Sequence, residues 1–356
     1  MINFSNYVSV YKPKIEEAIR MVLEKKIEMI KNRFLKSYYT ELKNYLLAGG
    51  KRIRPILTIA TFNAFSEGKD ERIILPSIGI EFLHNATLIH DDIIDNDDFR
   101  RGNPAFHYRF KTYHKDYNLK KMDEDEFGNS MGIIGGNTAF TLGLEAYLSN
   151  KFEHELNLNA TRFFQEAFIE VIEGVLIEID MINQGQPTID EYIKMISLKT
   201  GVMISKSILI GANYAKTDGK YRKLLSRLGI NIGIIFQIID DILGTFGNEE
   251  ITGKPTDGDI QEGKKTCLLI TALNDLSKSN KNKLLKLIEN PNMSKKDVAE
   301  VKDLFLEAEV AEKCKNLAKM YYNESIEILN ELKIIINPEE LEFFNSLLTF
   351  IMERSF

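Results

Sequence analysis

"IGIEFLHNATLIHDDIIDNDDFRRG", Ile78 to Gly102, decides how this chain is read. A strongly apolar run comes first. Five aspartates then fall within the eight residues 91–98, and Arg100 and Arg101 follow. Like charges packed this densely repel each other, and the cost grows when the segment is a partly buried helix. Read as helical over 88–95, the stretch places Asp91 and Asp95 one turn apart and Asp92 three residues before Asp95. Three carboxylates then leave the same end of one helix. For an isolated D-D-x-x-D the ordinary meaning is a solvated acidic face or a set of caps. The apolar run before it argues instead for a buried helix whose carboxylates open onto a cavity. A divalent cation makes such a cluster tolerable, and carboxylate oxygens suit hard Mg²⁺, which commonly bridges to substrate phosphates. An EF-hand loop fails, because its glycine and closing glutamate are not at the required positions.

The rest of the chain reads as helical nearly throughout. Apolar residues recur at helical spacing in "YKPKIEEAIRMVLEKKIEMIKNRF", "LGINIGIIFQIIDDILG" and "AEKCKNLAKMYYNESIEILNELK". Prolines are few, and Pro13, Pro55, Pro104, Pro255 and Pro338 are expected at helix starts or in loops. Period-two alternation is scarce, so a substantial sheet is not expected. Loops are expected at "SEGKDE", over the charged stretch 111–130 and at "GNEEITGKPTDGDIQEGKK". No repeat and no low-complexity linker marks a boundary, so the economical reading is one all-α domain over 1–356.

Composition narrows the function classes. The 356 residues are 44% hydrophobic and 28% charged, as in a soluble globular protein. A formal net charge of −6 argues against general nucleic-acid binding. Two cysteines, Cys267 and Cys314, give no disulfide framework and fit a reducing, cytoplasmic setting. The N-terminus lacks the pattern of a signal peptide, and no apolar run is read as reaching the roughly 18 residues of a membrane span.

A second acidic pair strengthens the first. "FQIIDDILG" puts Asp240 and Asp241 at the end of another apolar helical segment, with Gln237 one turn before Asp240. Two such helices facing each other would hold metal ions on both sides of a diphosphate. Cations to match come from "GGKRIRP" (Gly49–Pro55, with Lys51, Arg52 and Arg54), Arg100 and Arg101, Lys199 and Thr200 of "LKTG", and Lys254 and Lys264. Arginine suits bidentate phosphate contacts and lysine acts as a point charge.

The motifs "GGKRIRP", "HNATLIHDDIIDNDDFRRGNP", "YIKMISLKTG", "FQIIDDILG" and "GKPTDGDIQEGKKT" occur in this order over residues 49 to 266, and "FFNSLLTFIMER" extends the match to the tail. In this combination the chain resembles the trans-isoprenyl diphosphate synthases, the farnesyl and geranylgeranyl diphosphate synthase type. The resemblance implies a bundle of long helices around a central cavity, usually a homodimer. It assigns Mg²⁺ to Asp91, Asp92, Asp95 and Asp240, with Asp241 in support. Arg100, Lys199, Thr200, Gln237, Lys254 and Lys264 would surround the allylic diphosphate, whether dimethylallyl, geranyl or farnesyl. Gly50, Lys51, Arg54, His84 and Arg101 would bind isopentenyl diphosphate. The four metal-bound aspartates, Lys199 and Lys254 would carry catalysis.

Three departures from the family pattern stand out. Gly244 replaces a third aspartate in the second motif, Gly136–Asn137 stands where many members read Gly-Asp, and Gly174–Val175 with Glu178 stands for Gly-Gln-x-x-Asp. The resemblance implies head-to-tail condensation: the allylic C–O bond ionises, the isopentenyl double bond attacks, and a proton is lost to the released diphosphate. A class I terpene cyclase would carry a different second motif. A head-to-head synthase would lack "GGKRIRP", and a non-catalytic partner subunit would have lost an aspartate motif. Product length is read at Ala86 and Thr87, where relatives that stop at C15 carry an aromatic. Geranylgeranyl diphosphate (C20) is the expected product, with C25 next. The floor would then lie deeper, at Leu83 or Ile80, or at Phe140, Phe163, Phe164 or Phe168.

Overall fold

Asn3 accepts a hydrogen bond from the Asn6 N–H at 3.0 Å and so starts the first helix, α1, Phe4–Glu28. Phe4, Tyr7, Tyr11, Ile15, Ile19 and Leu23 follow at three- and four-residue intervals and are buried as one seam. That seam explains one departure from the sequence expectation. Pro13 lies inside α1, not at its start. An interior proline costs about 3 kcal/mol, and six buried side chains outweigh it at roughly 1.5–3 kcal/mol each. The helical run also breaks earlier than its periodicity implied, because Asn32 caps a new helix, α2, Arg33–Leu46.

A computed structural model describes residues 3–183, 185–247, 257–290 and 292–354. The chain divides into two compact units, residues Met1–Glu166 with Ser207–Gly219, and Ala167–Lys206 with Lys220–Phe356. After α2 the first unit continues with α3 (Ile53–Phe65) and α4 (Ile74–Ile94). A two-residue antiparallel pair follows, β1 (Phe99–Arg100) with β2 (Asn103–Pro104), then α5 (Phe106–Asp116) and α6 (Glu124–Leu148). Among the described residues these are the only strands. The chain passes from one unit to the other within α7 (His154–Asn183) and within α9 (Val202–Tyr214).

In the first unit α4 packs against α6. Glycines on the facing sides let the two backbones approach. A Cβ at Gly143 would lie 2.9 Å from the Gly79 carbonyl oxygen, and one at Gly136 only 2.1 Å from the His90 imidazole. The expected loop over 111–130 is mostly helix. Lys111 pairs with Asp125 at 2.8 Å and Lys115 with Glu124 at 3.1 Å, while Asp123 caps α6. Charge here ties two helix ends together across a short loop at 117–123.

The second unit holds α8 (Ile189–Ile196), α10 (Arg222–Phe246), the short α11 (Gly258–Gln261), α12 (Cys267–Asp275), α13 (Lys278–Ile288), α14 (Lys295–Glu307), α15 (Val310–Leu332) and α16 (Pro338–Met352). The helices α8 and α9 are joined without a loop by a π-turn, Ser197–Gly201. Of the remaining prolines, Pro338 opens α16 as expected, and Pro255 lies outside the described residues.

One sequence expectation needs correction. Three helical stretches, Glu71–Ile94, Ile189–Tyr214 and Gly219–Phe246, are long and apolar enough to cross a membrane by length and composition. Their most apolar windows are 72%, 78% and 67% buried within the protein. Helices apolar on nearly every side are also what the centre of a large helical core requires.

Candidate functional site

The first unit gathers its basic residues around a glycine turn. Gly49 and Gly50 take φ of 100° and 106°, which only glycine adopts freely. This turn leads into the N-terminus of α3, whose first N–H groups have no side-chain cap and suit an anion. Arg101, itself at φ 54°, donates to the Gly49 carbonyl at 3.0 Å. A Cβ at Gly50 would meet its guanidinium at 3.1 Å. Arg54 lies on the first turn of α3, and its buried Nε has no hydrogen-bond partner in the protein. Burial and the neighbouring Arg101 lower its pKa to about 10, although Glu81 opposes the shift. A buried guanidinium N–H without an acceptor calls for an anionic ligand. Burial and the charges of Arg54, Arg101, Arg100 and Arg52 hold the half-buried His84 imidazole well below its usual range, so it is neutral. Lys51 is exposed.

By sequence Arg52 is one cation of a basic cluster. In the structure its side chain is wholly buried, donating to Glu81 at 2.8 Å and to the Leu46 carbonyl at 2.7 Å. It holds the Gly-Gly turn against α4. The sequence signal that could have found this pair is Glu81, a lone acid inside an apolar helix.

The first acidic cluster forms at the C-terminal end of α4, as the spacing required. Asp95 caps the helix with its N–H bonded to the Asp91 carbonyl at 2.8 Å. Carboxylates there oppose the helix dipole and need cations. The three do not share one surface, however. Asp91 and Asp95 are half-buried, while Asp92 is fully buried. Asp92 accepts from Tyr45 at 2.9 Å and from Arg100 Nε at 2.6 Å. Burial pushes its pKa up in spite of Arg100.

The second unit gathers the other motifs. Asp240 and Asp241 lie on α10, which runs on to Phe246 and does not end at the pair as expected. Asp240 is half-exposed and pairs with Arg354 Nη1 at 2.5 Å, and that guanidinium also lies 4.7 Å from the Phe236 ring. Arg354 carries no signal in the sequence, where it is one arginine after an amphipathic helix. Spacing placed Gln237 beside Asp240, but its amide donates to Asp241 at 2.8 Å and accepts from Thr200 at 2.9 Å. Burial and the negative charges of Asp259 and Asp240 push Asp241 up to about 7, although Gln237 and Tyr192 donate to it.

Lys199 and Thr200 occupy the π-turn, a distortion often found at functional sites. Glycines clamp it. A Cβ at Gly174 would lie 2.5 Å from Lys199 N, and one at Gly233 2.3 Å from Gly201 Cα. Lys199 pairs with Glu178, so the glutamate that departs from the family pattern still supplies an acid there. Glu178, Lys199, Gln237, Asp241, Asp259 and Lys264 are among the residues lining a cavity of about 130 Å³ within this unit. Lys264 pairs with Glu262 at 2.8 Å and lies 3.7 Å from Asp259. A Cβ at Gly244 would meet only the Asp259 carboxylate, at 3.1 Å. A third aspartate there would add a further negative charge beside Asp259. Lys254 lies outside the described residues.

Among the described residues no three His, Cys, Asp or Glu side chains stand together as a complete protein-made metal site. The donor set fits Mg²⁺ in its usual mode, one or two carboxylates with substrate phosphates and water completing the shell. The raised Asp241 marks acidic charge that a cation would relieve.

A family model described as polyprenyl synthetase matches residues 36–305. The chain belongs to the polyprenyl synthetase family. It is 33% identical over 344 residues to a short chain isoprenyl diphosphate synthase of Methanocaldococcus jannaschii, across 96% of this chain and 94% of that one. It is 34% identical over 316 residues to a geranylgeranyl diphosphate synthase of Saccharolobus solfataricus, covering 86% and 88%. A geranylfarnesyl diphosphate synthase of Aeropyrum pernix is 30% identical over 311 residues, covering 86% and 91%. Among solved structures of the family, the fold resembles a geranylgeranyl pyrophosphate synthase from Corynebacterium glutamicum complexed with isoprenyl diphosphate and magnesium. That match has a TM-score of 0.90 and 26% identity, over 99% of this chain and 100% of the other. These likenesses agree with the all-α expectation.

Proposed function

We propose that this polyprenyl synthetase is a prenyltransferase joining isopentenyl diphosphate head-to-tail to an allylic diphosphate, with geranylgeranyl diphosphate as its main product. Residues 1–356 act as one cytoplasmic synthase domain, and the active form is a homodimer. The observation that carries the reading is the Gly50, Arg54, His84 and Arg101 site, a cationic cradle in which the buried Arg54 Nε has no acceptor in the protein. A protein whose only task was to bind metal would have no use for it.

Asp91 and Asp95 in the first unit, supported by Asp92, and Asp240 in the second, supported by Asp241, would hold Mg²⁺, and the bound ion would stabilise the departing diphosphate. Arg100, Lys199, Thr200, Gln237, Lys254 and Lys264 bind and orient the allylic diphosphate. Lys51, Arg54, His84 and Arg101 bind isopentenyl diphosphate, the Gly50 backbone lying close against it. Because its neighbours keep it neutral, His84 offers a ring N–H to a phosphate oxygen and leaves the positive charge to the arginines. Apolar walls protect the allylic cation from water once the C–O bond has ionised. The isopentenyl double bond then attacks, and the proton it loses passes to the released diphosphate.

The test is product analysis of the purified chain with isopentenyl diphosphate and each of dimethylallyl, geranyl and farnesyl diphosphate, with and without Mg²⁺. The expected outcome is Mg²⁺-dependent C20 product. No prenyl product from any primer would refute the reading. Relatives named geranylfarnesyl diphosphate synthase make C25 the second outcome to look for.

A further inference from the structure

The second aspartate of each Asp-Asp pair is held in the same way. In the first unit, Asp92 is fully buried, its Oδ2 accepting from the Tyr45 hydroxyl at 2.9 Å and its Oδ1 from Arg100 Nε at 2.6 Å. In the second unit, Asp241 is buried, its Oδ2 accepting from the Tyr192 hydroxyl at 2.7 Å and its Oδ1 from Gln237 Nε2 at 2.8 Å. One oxygen goes to a buried tyrosine and the other to a side chain that the proposed function places at the allylic diphosphate. The first aspartate of each pair, Asp91 or Asp240, is only partly buried.

We infer that Tyr45 and Tyr192 are positioning residues of the condensation, each acting through the second aspartate of its pair to aim Arg100 or Gln237 at the allylic diphosphate. This rests on the function proposed above. A carboxylate held at one oxygen only can turn about its Cβ–Cγ bond, and its partner at the other oxygen turns with it. A second fixed donor removes that freedom. Both tyrosines are themselves packed in place. Tyr45 is buried edge-on against the Phe106 ring, with centroids 6.0 Å apart. Tyr192 is buried on α8, whose start is fixed by the reciprocal Thr188–Glu191 capping box. From Gln237 the chain of bonds runs on to Thr200 in the π-turn. A phenylalanine would fill the same space at both positions, so the hydroxyl serves the carboxylate and not the packing.

The test uses the full chain as Tyr45→Phe and Tyr192→Phe, with three readouts: steady-state kinetics at saturating Mg²⁺, thermal melting without substrate, and calorimetric titration with inorganic diphosphate in Mg²⁺. Each variant leaves a buried carboxylate oxygen without its donor, so both are expected to fold and to melt a few degrees below the wild type. The KM for the allylic substrate should rise about tenfold, the scale of one hydrogen bond to a charged group, while the KM for isopentenyl diphosphate stays within about twofold. Allylic KM values unchanged in both variants would overturn the inference. So would an equal rise for both substrates, which is what a purely structural bond produces. If the wild type makes no prenyl product but both variants bind diphosphate more weakly, the function falls and the positioning role stands. If the wild type neither condenses nor binds diphosphate, both fall. Should one variant fail to fold, the other, in the other unit, decides alone.

Discussion

His84 shows how far one residue depends on its surroundings. Burial and four nearby guanidinium groups depress its pKa in the folded chain, while an unfolded histidine titrates near ~6.5. Below that pH the unfolded state binds a proton that the folded state refuses. The stabilisation is therefore present above ~6.5 and is lost as pH falls toward the folded value. Asp241, raised to about 7, works the other way: its contribution is full at low pH and is lost as pH rises through that value. Only the difference between wild type and His84→Gln isolates the histidine. Melting curves from pH 8 to pH 5 should fall more steeply for the wild type, and parallel curves would remove His84 as the cause. The first aspartates make a separate prediction. Asp91→Ala and Asp240→Ala should each lower turnover by about a hundredfold or more, the cost of losing leaving-group stabilisation. Chelation should abolish activity and added Mg²⁺ restore it. Near-normal rates in both variants would cancel the metal assignment.

At the scale of elements, the π-turn between α8 and α9 is the feature that the motif "LKTG" does not announce. A regular helix through Ser197–Gly201 would turn Lys199 and Thr200 to other directions. The distortion is held by backbone-to-backbone approach at Gly174 and Gly233, where no side chain fits. Gly233→Ala would place a methyl group against Gly201 Cα with no side chain able to yield. We expect a stability loss on the order of 1–3 kcal/mol in urea unfolding. Because Thr200 shifts with the turn, the KM for the allylic substrate should rise more than that for isopentenyl diphosphate. Unchanged stability and kinetics in this variant would show that the clamp does not set the turn.

The whole molecule sets product length and assembly. Ala86 is buried and Thr87 half-buried on α4, without an aromatic at either position. Also in the first unit, Phe164 packs against Phe140 and Tyr147 with centroids 5.1 and 5.7 Å apart, so two of the candidate floor residues form one aromatic cluster. Ala86→Phe should shift the product from C20 toward C15. Overpacking is the competing outcome, so the variant's melting temperature must be measured beside its products. A stable, active variant with an unchanged product spectrum would sink the channel assignment. The proposed dimer would use Ile169, Ile172, Leu176 and Ile179, four exposed apolar residues on α7 at the three- and four-residue steps of a helix seam. Leu176 alone is 60% exposed, and a row of this kind is costly in water. Leu176→Lys should convert a dimer to a monomer in light scattering. A wild type that is monomeric at micromolar concentration would remove the proposed dimer.

The helical fold was legible because hydrophobic periodicity is local. Apolar residues at helical spacing in α1, α4 and α10 fold the same way whatever they later pack against. Residue type also pointed to the polyprenyl synthetase family, since the diphosphate chemistry proposed for the aspartate-rich helices and basic turns depends on charge and donor atoms. Spacing could not show which carboxylate of each pair is buried. Asp91 and Asp92 are adjacent, and only the packing of α2 against the rest of the first unit gives Asp92 its tyrosine. Nor could it show that Gln237 serves Asp241, that Arg52 is a buried strut, or that α16 brings Arg354 to Asp240, 114 positions away in the chain. Charge misled the loop reading over 111–130, because pairs such as Lys111–Asp125 join helices as readily as they fill loops. Composition is a property of neighbours in sequence, whereas burial and hydrogen-bond partners are properties of neighbours in space, and only the tertiary structure assigns those.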